Sequence, residues 1–244
     1  MNMKERRDLN ISGMLGGCGG GSFNNVTING NGTIQDSLDC IRFVSNGRAV
    51  VRGTMKAESA VVNGIASFGD NVIADKFRSN GKTDIEGALT AKDFRSDGHM
   101  KIGGAVTAEE VQLNGSMTLR GNCDAERFHS RGSFRIDGLL NAGSVRIELY
   151  AECRVKEIGG ESIDVRKSGA GSPFGKLIKA LGFSKDALIA ELIEGDDIRL
   201  EHTKADVVRG TNVVIGPGCE IGLVEYQDRY ELLEDSSVKQ SKQL

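Results

Sequence analysis

Asn80-Gly81-Lys82-Thr83-Asp84-Ile85-Glu86-Gly87-Ala88-Leu89-Thr90-Ala91 is the stretch whose pattern decides the fold. The same unit recurs on both sides of it at a fixed interval of seventeen residues. Gly30, Gly47, Gly64, Gly81, Gly98, Gly115 and Gly132 form one unbroken series, preceded by Asn29, Asn46, Asn63, Asn80, Asp97, Asn114 and Arg131. Asn-Gly and Asp-Gly are dipeptides that readily enter positive φ, so the expectation is one such corner every seventeen residues.

The columns between corners are as regular. Four residues before each Gly stand Val26, Phe43, Ala60, Phe77, Phe94, Val111 and Phe128, and four after it Ile34, Val51, Phe68, Ile85, Ile102, Leu119 and Ile136. A second turn column holds Asp36, Gly53, Asp70, Gly87, Gly104, Gly121 and Gly138. Next come Leu38, Met55, Val72, Leu89, Val106, Cys123 and Leu140, then a small column of Cys40, Ala57, Ala74, Ala91, Ala108, Ala125 and Ala142. Apolar positions step by two, which is strand periodicity with one face inward. Helical repeats would step by three and four and be longer. Short strands at a short fixed period describe an all-β chain coiled as a single-stranded parallel β-helix, about seventeen residues and three strands per coil around a triangular core. Phe43, Phe77, Phe94 and Phe128 are expected in one ladder along the axis.

The pattern divides the chain. Residues 1–25 read as a flexible Gly-rich leader and 26–165 as a β-helix of about eight coils, the eighth degenerate because Leu149 stands where the corner Gly belongs. Residues 166–196 form an insertion. Within it a short helix is expected over 172–182, with Ser172 as N-cap, Pro173 at the first helical position and Gly182 as the stop. Phe174, Leu177, Ile178 and Leu181 make one apolar stripe, with Lys176 and Lys179 elsewhere on the helix. That face suits either packing on the solenoid or a membrane surface. β-Helical grammar returns over 197–227, where Ile198 and Ile215, and Val207 and Val224, are seventeen apart; 228–244 reads as a disordered acidic and polar tail.

Composition excludes several function classes. A net charge of −3 gives no basic footprint for nucleic acid. The N-terminus is charged and lacks an apolar core ahead of Leu15-Gly16-Gly17-Cys18, so neither export nor a lipoprotein signal is expected. No run reaches the length of a membrane span. Five cysteines without a CxxC pair point to a reducing compartment. Cys40, Cys123 and Cys153 fall in inward columns and read as small buried hydrophobes. His99, His129 and His202 are dispersed, with no metal-ligand spacing. The glycines at 16–21 lack the Lys-Ser/Thr of a P-loop. No catalytic, metal-binding or cofactor-binding residue is expected.

The Asn-Gly…Ile-x-Gly-x-Leu-x-Ala units over about 26–160 resemble the bactofilins, a bacterial family of polymer-forming cytoskeletal proteins. The closing segment, from Glu194 to Tyr226, looks like that of the longer bactofilin-like proteins of Bacillus-type bacteria. The resemblance implies a right-handed β-helix, nucleotide-independent filaments built by stacking helix ends, frequent membrane association, and a scaffolding role in cell shape, polar organisation or motility. It also implies self-association, co-assembly with a paralogue, and residence in the cytoplasm or at the inner face of the membrane. The helical insertion and the missing apolar N-terminal segment depart from the commoner short members.

Physics gives an independent reason for assembly, because a solenoid's ends expose unpaired strand edges and an open core. Val26, Ile28 and Ile34 at one end and Ile215, Ile221 and Val224 at the other are the expected interface. A monomeric binding module is the alternative. A hexapeptide-type acyltransferase has coils of similar length, but needs a six-residue subperiod and a suitably placed His, and neither is present.

Overall fold

The computed structural model describes residues 6–168 and 186–244. Two compact units divide the chain, Met1–Gly121 and Asn122–Leu244. Both are parallel β-solenoids, and no helix occurs among the described residues. The helix expected over 172–182 lies outside them.

The first unit holds β1 (Arg7–Ile11), β2 (Met14–Cys18), β3 (Gly21–Ile28), β4 (Asn31–Ile34), β5 (Leu38–Ser45), β6 (Arg48–Val51), β7 (Met55–Val62), β8 (Ile65–Phe68), β9 (Val72–Ser79), β10 (Lys82–Ile85), β11 (Leu89–Ser96), β12 (His99–Ile102), β13 (Val106–Leu113) and β14 (Ser116–Leu119). Each coil is a longer strand followed by a short one. Every pairing is parallel and, from β3 onward, joins residues seventeen apart: Phe43 to Ala60, Ala60 to Phe77, Phe77 to Phe94. The columns of the sequence are therefore the ladders of the sheet. Their inward members are buried, among them Phe43, Phe68, Phe77, Phe94, Leu89 and Ile102.

Two expectations are corrected in this unit. Residues 7–18 are not a leader: β1 and β2 pair with β3 and β4, placing Leu9 beside Val26 and Ile11 beside Ile28. Leu9 and Ile11 continue the inward columns by one more coil, a signal the glycines around Cys18 mask. Phe43, Phe77 and Phe94 stand in one ladder as expected, and a further ring joins them. Phe68, from the short-strand column, joins Phe43 at 5.9 Å and Phe77 at 6.3 Å, and Phe94 follows Phe77 at 6.2 Å, all edge-on. Edge-on contact at such distances is the favourable arrangement for aromatic quadrupoles.

The corner glycines, finally, are not in the left-handed region; among the described glycines positive φ occurs only at Gly21 and Gly218. They are needed for space. A Cβ at Gly64 would lie 2.1 Å from the carbonyl oxygen of Gly47, and one at Gly81 1.9 Å from that of Gly64. Each corner sits directly on the backbone of the corner before it. The preceding asparagines tie the same corners together on the outside: Asn46 Nδ2 donates to Asn29 Oδ1 at 2.8 Å, Asn63 to Asn46 at 2.7 Å and Asn80 to Asn63 at 2.7 Å. Such amide ladders contribute roughly 0.5–1.5 kcal/mol per bond.

The second unit holds β15 (Cys123–Ser130), β16 (Ser133–Leu149), β17 (Cys153–Lys167), β18 (Leu188–Leu200), β19 (Thr203–Ile215), β20 (Glu220–Leu232) and β21 (Ser237–Gln243). The strands are long because the backbone runs through one corner without leaving the ladder. Gly160, Gly195 and Gly210 make this possible: a Cβ on Gly195 would meet the Gly160 oxygen at 2.3 Å, and one on Gly210 the Gly195 oxygen at 2.8 Å.

Coil length also varies here. Phe128 pairs with Val145 seventeen residues on, but Val145 pairs with Ile163 eighteen on, and Ile198 with Val213 only fifteen on. The seventeen-residue spacing of Ile198 and Ile215 is thus not the register: Ile215 sits beside Leu200, and Val224 beside Val208. Two residues link β18 to β19, with His202 at φ 47°, whereas four link β19 to β20, with Gly218 at φ 74°. The short link is what removes two residues from that coil.

The insertion is narrower than expected. Residues up to Lys167 belong to β17, and Leu188 begins β18, which pairs directly with β17 from Cys153–Leu188 to Val165–Leu200. Nor is 228–244 a free tail. Arg229–Leu232 completes β20, and β21 pairs with Glu220–Tyr226.

Candidate assembly surfaces

The outermost strands are β1 and β2 at the start of the first unit and β21 with the last part of β20 at the end of the second. Among the described residues no strand pairs along the outer edges of β1 and β2. Beside them Met14 is 88 % exposed and Leu15 37 %. At the other end β21 covers only Glu220–Tyr226. Arg229, Tyr230, Glu231 and Leu232 therefore form an open step, paired with Asn212–Ile215 on one side alone. Leu232 is 48 % exposed there, and Tyr230 stacks on Tyr226 with ring centres 5.2 Å apart. β21 itself, Ser-Val-Lys-Gln-Ser-Lys-Gln, is almost wholly exposed and polar.

The six residues expected at the interface lie one coil further in. Val26, Ile28 and Ile34 are fully buried beneath Leu9, Ile11 and Cys18. Ile215 stands between Leu200 and Leu232, Ile221 between Ala205 and Val238, and Val224 between Val208 and Ser241. None of the six is on an outer edge. Sequence columns had traced the core correctly but stopped one layer short at each end. Phe174, Lys176, Leu177, Ile178, Lys179 and Leu181 lie outside the described residues.

Along the sides, charges are answered locally. A groove of about 800 Å³ in the second unit runs past Ile136, Val155, Ala190, Ala205 and Ile221. Two ion pairs stand on its rim, Arg135 Nε with Asp137 at 2.8 Å and Lys204 Nζ with Glu220 at 2.6 Å. Glu148 is surrounded by Arg131 at 3.2 Å, His129 at 3.3 Å and Arg146 at 3.6 Å. The Lys204–Glu220 and Arg131–Glu148 pairs brace neighbouring coils. Among the described residues no group of three metal-binding side chains converges. Burial pushes the thiols of Cys40, Cys123 and Cys153 up to about 12 and that of Cys219 up to about 11, so at neutral pH they are protonated and inert. Only Cys18 is partly exposed. No helix among the described residues is long and apolar enough to cross a membrane.

Comparison with known proteins gives one decisive match. The chain is 57 % identical to the uncharacterized protein YhbE of Bacillus subtilis (strain 168) over 247 aligned positions that cover all of both chains. It belongs to the YhbE family. A second B. subtilis relative, the uncharacterized protein YhbF, is 41 % identical over 109 residues, which is 43 % of this chain and 42 % of YhbF. No family model and no solved structure matches. Full-length identity at this level carries the solenoid to YhbE as well, because the coil register depends on columns spread over the whole chain.

Proposed function

We propose that this YhbE-family protein is a bactofilin-like scaffold that assembles end to end, without nucleotide, into filaments supporting cell shape, polar organisation or motility in the cytoplasm. The observation that carries this reading is the pair of open ends: unpaired parallel strand edges flanked by exposed Met14 and Leu15 at one and by exposed Leu232 at the other. Exposed edges with apolar neighbours are what natural sheets avoid unless another chain covers them. The right-handed sense belongs to this reading too, as it is the hand of nearly all parallel crossovers. So do contact with a lipid surface through Phe174, Leu177, Ile178 and Leu181, and co-assembly with a related chain. Liposome flotation of Ile178→Asp tests the lipid contact, which unchanged flotation would refute.

The alternative, a monomeric binding module, draws support from β21, since a polar outer strand is also how terminal repeats are capped. Sedimentation and negative-stain microscopy of purified protein without nucleotide separate the two. The scaffold reading expects sedimentable filaments, abolished by Leu232→Lys and by Leu15→Lys with the fold retained. Charges at Ile28 or Ile221 are poorer tests, because both are buried and would unfold the coil.

A further inference from the structure

The Asn-Gly corners carry a chemical liability that the amide ladder holds in check. In Asn-Gly the glycine nitrogen reaches the asparagine side-chain carbon easily, because no Cβ on the glycine obstructs ring closure. The nitrogen gives its proton to solvent and bonds to Cγ, the Cγ–Nδ2 bond breaks, and ammonia leaves. Water then opens the five-membered succinimide to aspartate or its β-linked isomer. Five corners of the first unit have this dipeptide: Asn29-Gly30, Asn46-Gly47, Asn63-Gly64, Asn80-Gly81 and Asn114-Gly115. In each, the glycine nitrogen donates to a carbonyl of the coil behind at between 3.1 and 3.3 Å, so the backbone protects all five alike. Asn31-Gly32 is not a corner; it lies within β4 and pairs on both sides.

The side-chain amides are not held alike. Asn46 and Asn63 each donate through Nδ2 to the coil before and accept at Oδ1 from the coil after. Asn80 donates to Asn63 and accepts from Arg78 Nε at 2.8 Å. Asn29, first in the ladder, has only the bond its Oδ1 accepts from Asn46. Asn114 has only the bond its Nδ2 donates to Asp97 Oδ1 at 2.7 Å, and its own Oδ1 meets no donor among the described residues. The next member of that sequence column, Arg131, pairs with Glu148 at 3.2 Å.

We propose that the two end residues of the ladder, Asn29 and Asn114, are spontaneous deamidation sites, and that at Asn114 the change is a one-way switch that loosens its coil. Ring closure must free the amide from its partners in a local opening, and one bond fewer makes that opening about five-fold more frequent. The consequences differ with the atom that is tied. An aspartate at position 29 keeps an oxygen where Asn46 Nδ2 donates, so that end of the ladder survives. At position 114 the donor to Asp97 is lost, and two carboxylates face each other from backbones about 4.8 Å apart, an arrangement that repels. Arg78 is already committed to Asp97 Oδ2 at 3.1 Å and to Asn80. The chemistry requires only the folded coil and is the same whether or not the chain assembles.

The test incubates the full-length folded protein in warm, mildly alkaline buffer and follows each corner by peptide mass spectrometry, through the mass change from amide to acid. Protein held unfolded in urea gives the unprotected rates. In the folded protein Asn29 and Asn114 should react about five-fold faster than Asn46, Asn63 and Asn80, and in urea the five should react alike. Equal rates at the five corners of the folded protein, or an interior corner ahead of both ends, overturn the assignment. Asn114→Asp isolates the consequence: it should melt about 3 °C below wild type, while Asn29→Asp melts with it. An Asn114→Asp protein as stable as wild type overturns the switch.

Discussion

The two units build parallel coils by different means. In the first, a coil is a long and a short strand, every coil is seventeen residues, and backbone meets backbone at the Asn-Gly corners. In the second, β16 to β20 each run on for thirteen residues or more, coil length changes, and the stacked glycines are Gly160, Gly195 and Gly210 within strands. External cohesion differs as well. Neutral Asn29–Asn46–Asn63–Asn80 amides lace the first unit, whereas Arg209 joins Glu194 at 3.2 Å and Glu225 at 2.8 Å in the second. A solenoid needs a void for the neighbouring backbone at some corner, but it does not matter which corner supplies it. A strict sequence period is thus a property of one corner solution, not of the fold.

The sharpest way to break this comparison is to fill the void. Gly64→Ala, whose Cβ would lie 2.1 Å from a backbone oxygen, should cost more than about 4 kcal/mol or prevent folding, whereas Gly143→Ala, with its nearest atom at 3.2 Å, should cost less than about 1 kcal/mol in urea denaturation. Similar values for the two would show that the corner glycines are not there for space. Next in size, Phe77→Ala opens a cavity between Phe68 and Phe94 and should cost about 3 kcal/mol; a loss under 1 kcal/mol would mean that the ring chain is loosely packed.

Asn63→Ala removes two ladder bonds and should cost about 1–2 kcal/mol, equally at low and high salt. Arg209→Ala should cost less, and high salt should shrink the difference from wild type, because exposed ion pairs are screened. If both losses, or neither, respond to salt, the distinction between the two lacings fails. The smallest effect is a gain. Ser96 is fully buried with no partner for its hydroxyl, so Ser96→Ala should leave stability unchanged or raise it by up to about 1 kcal/mol. A loss of stability in the same melt would mean the hydroxyl has a partner.

These contrasts also explain what could be read from sequence. The first unit's ladders were legible because each column repeats one side-chain class at one spacing. The resumed coils were not, since Ile198 and Ile215 share a spacing by coincidence while the chain shortens its corner at His202. The end layers were hidden for a different reason. Leu9 and Ile11 have one neighbour coil instead of two, and Tyr230 and Leu232 sit among charges, so neither layer looks like core until its pairing is seen. The six candidate interface residues accordingly lie one coil inside the outermost strands.

The open ends remain the point on which the function turns. Sedimentation velocity of the purified wild-type chain without nucleotide, beside Leu232→Lys, tests this most directly. The account predicts large polymers for the wild type and a folded species of single-chain mass for the variant. A wild type that sediments as a single chain, or a variant that polymerises as well as wild type, would contradict it.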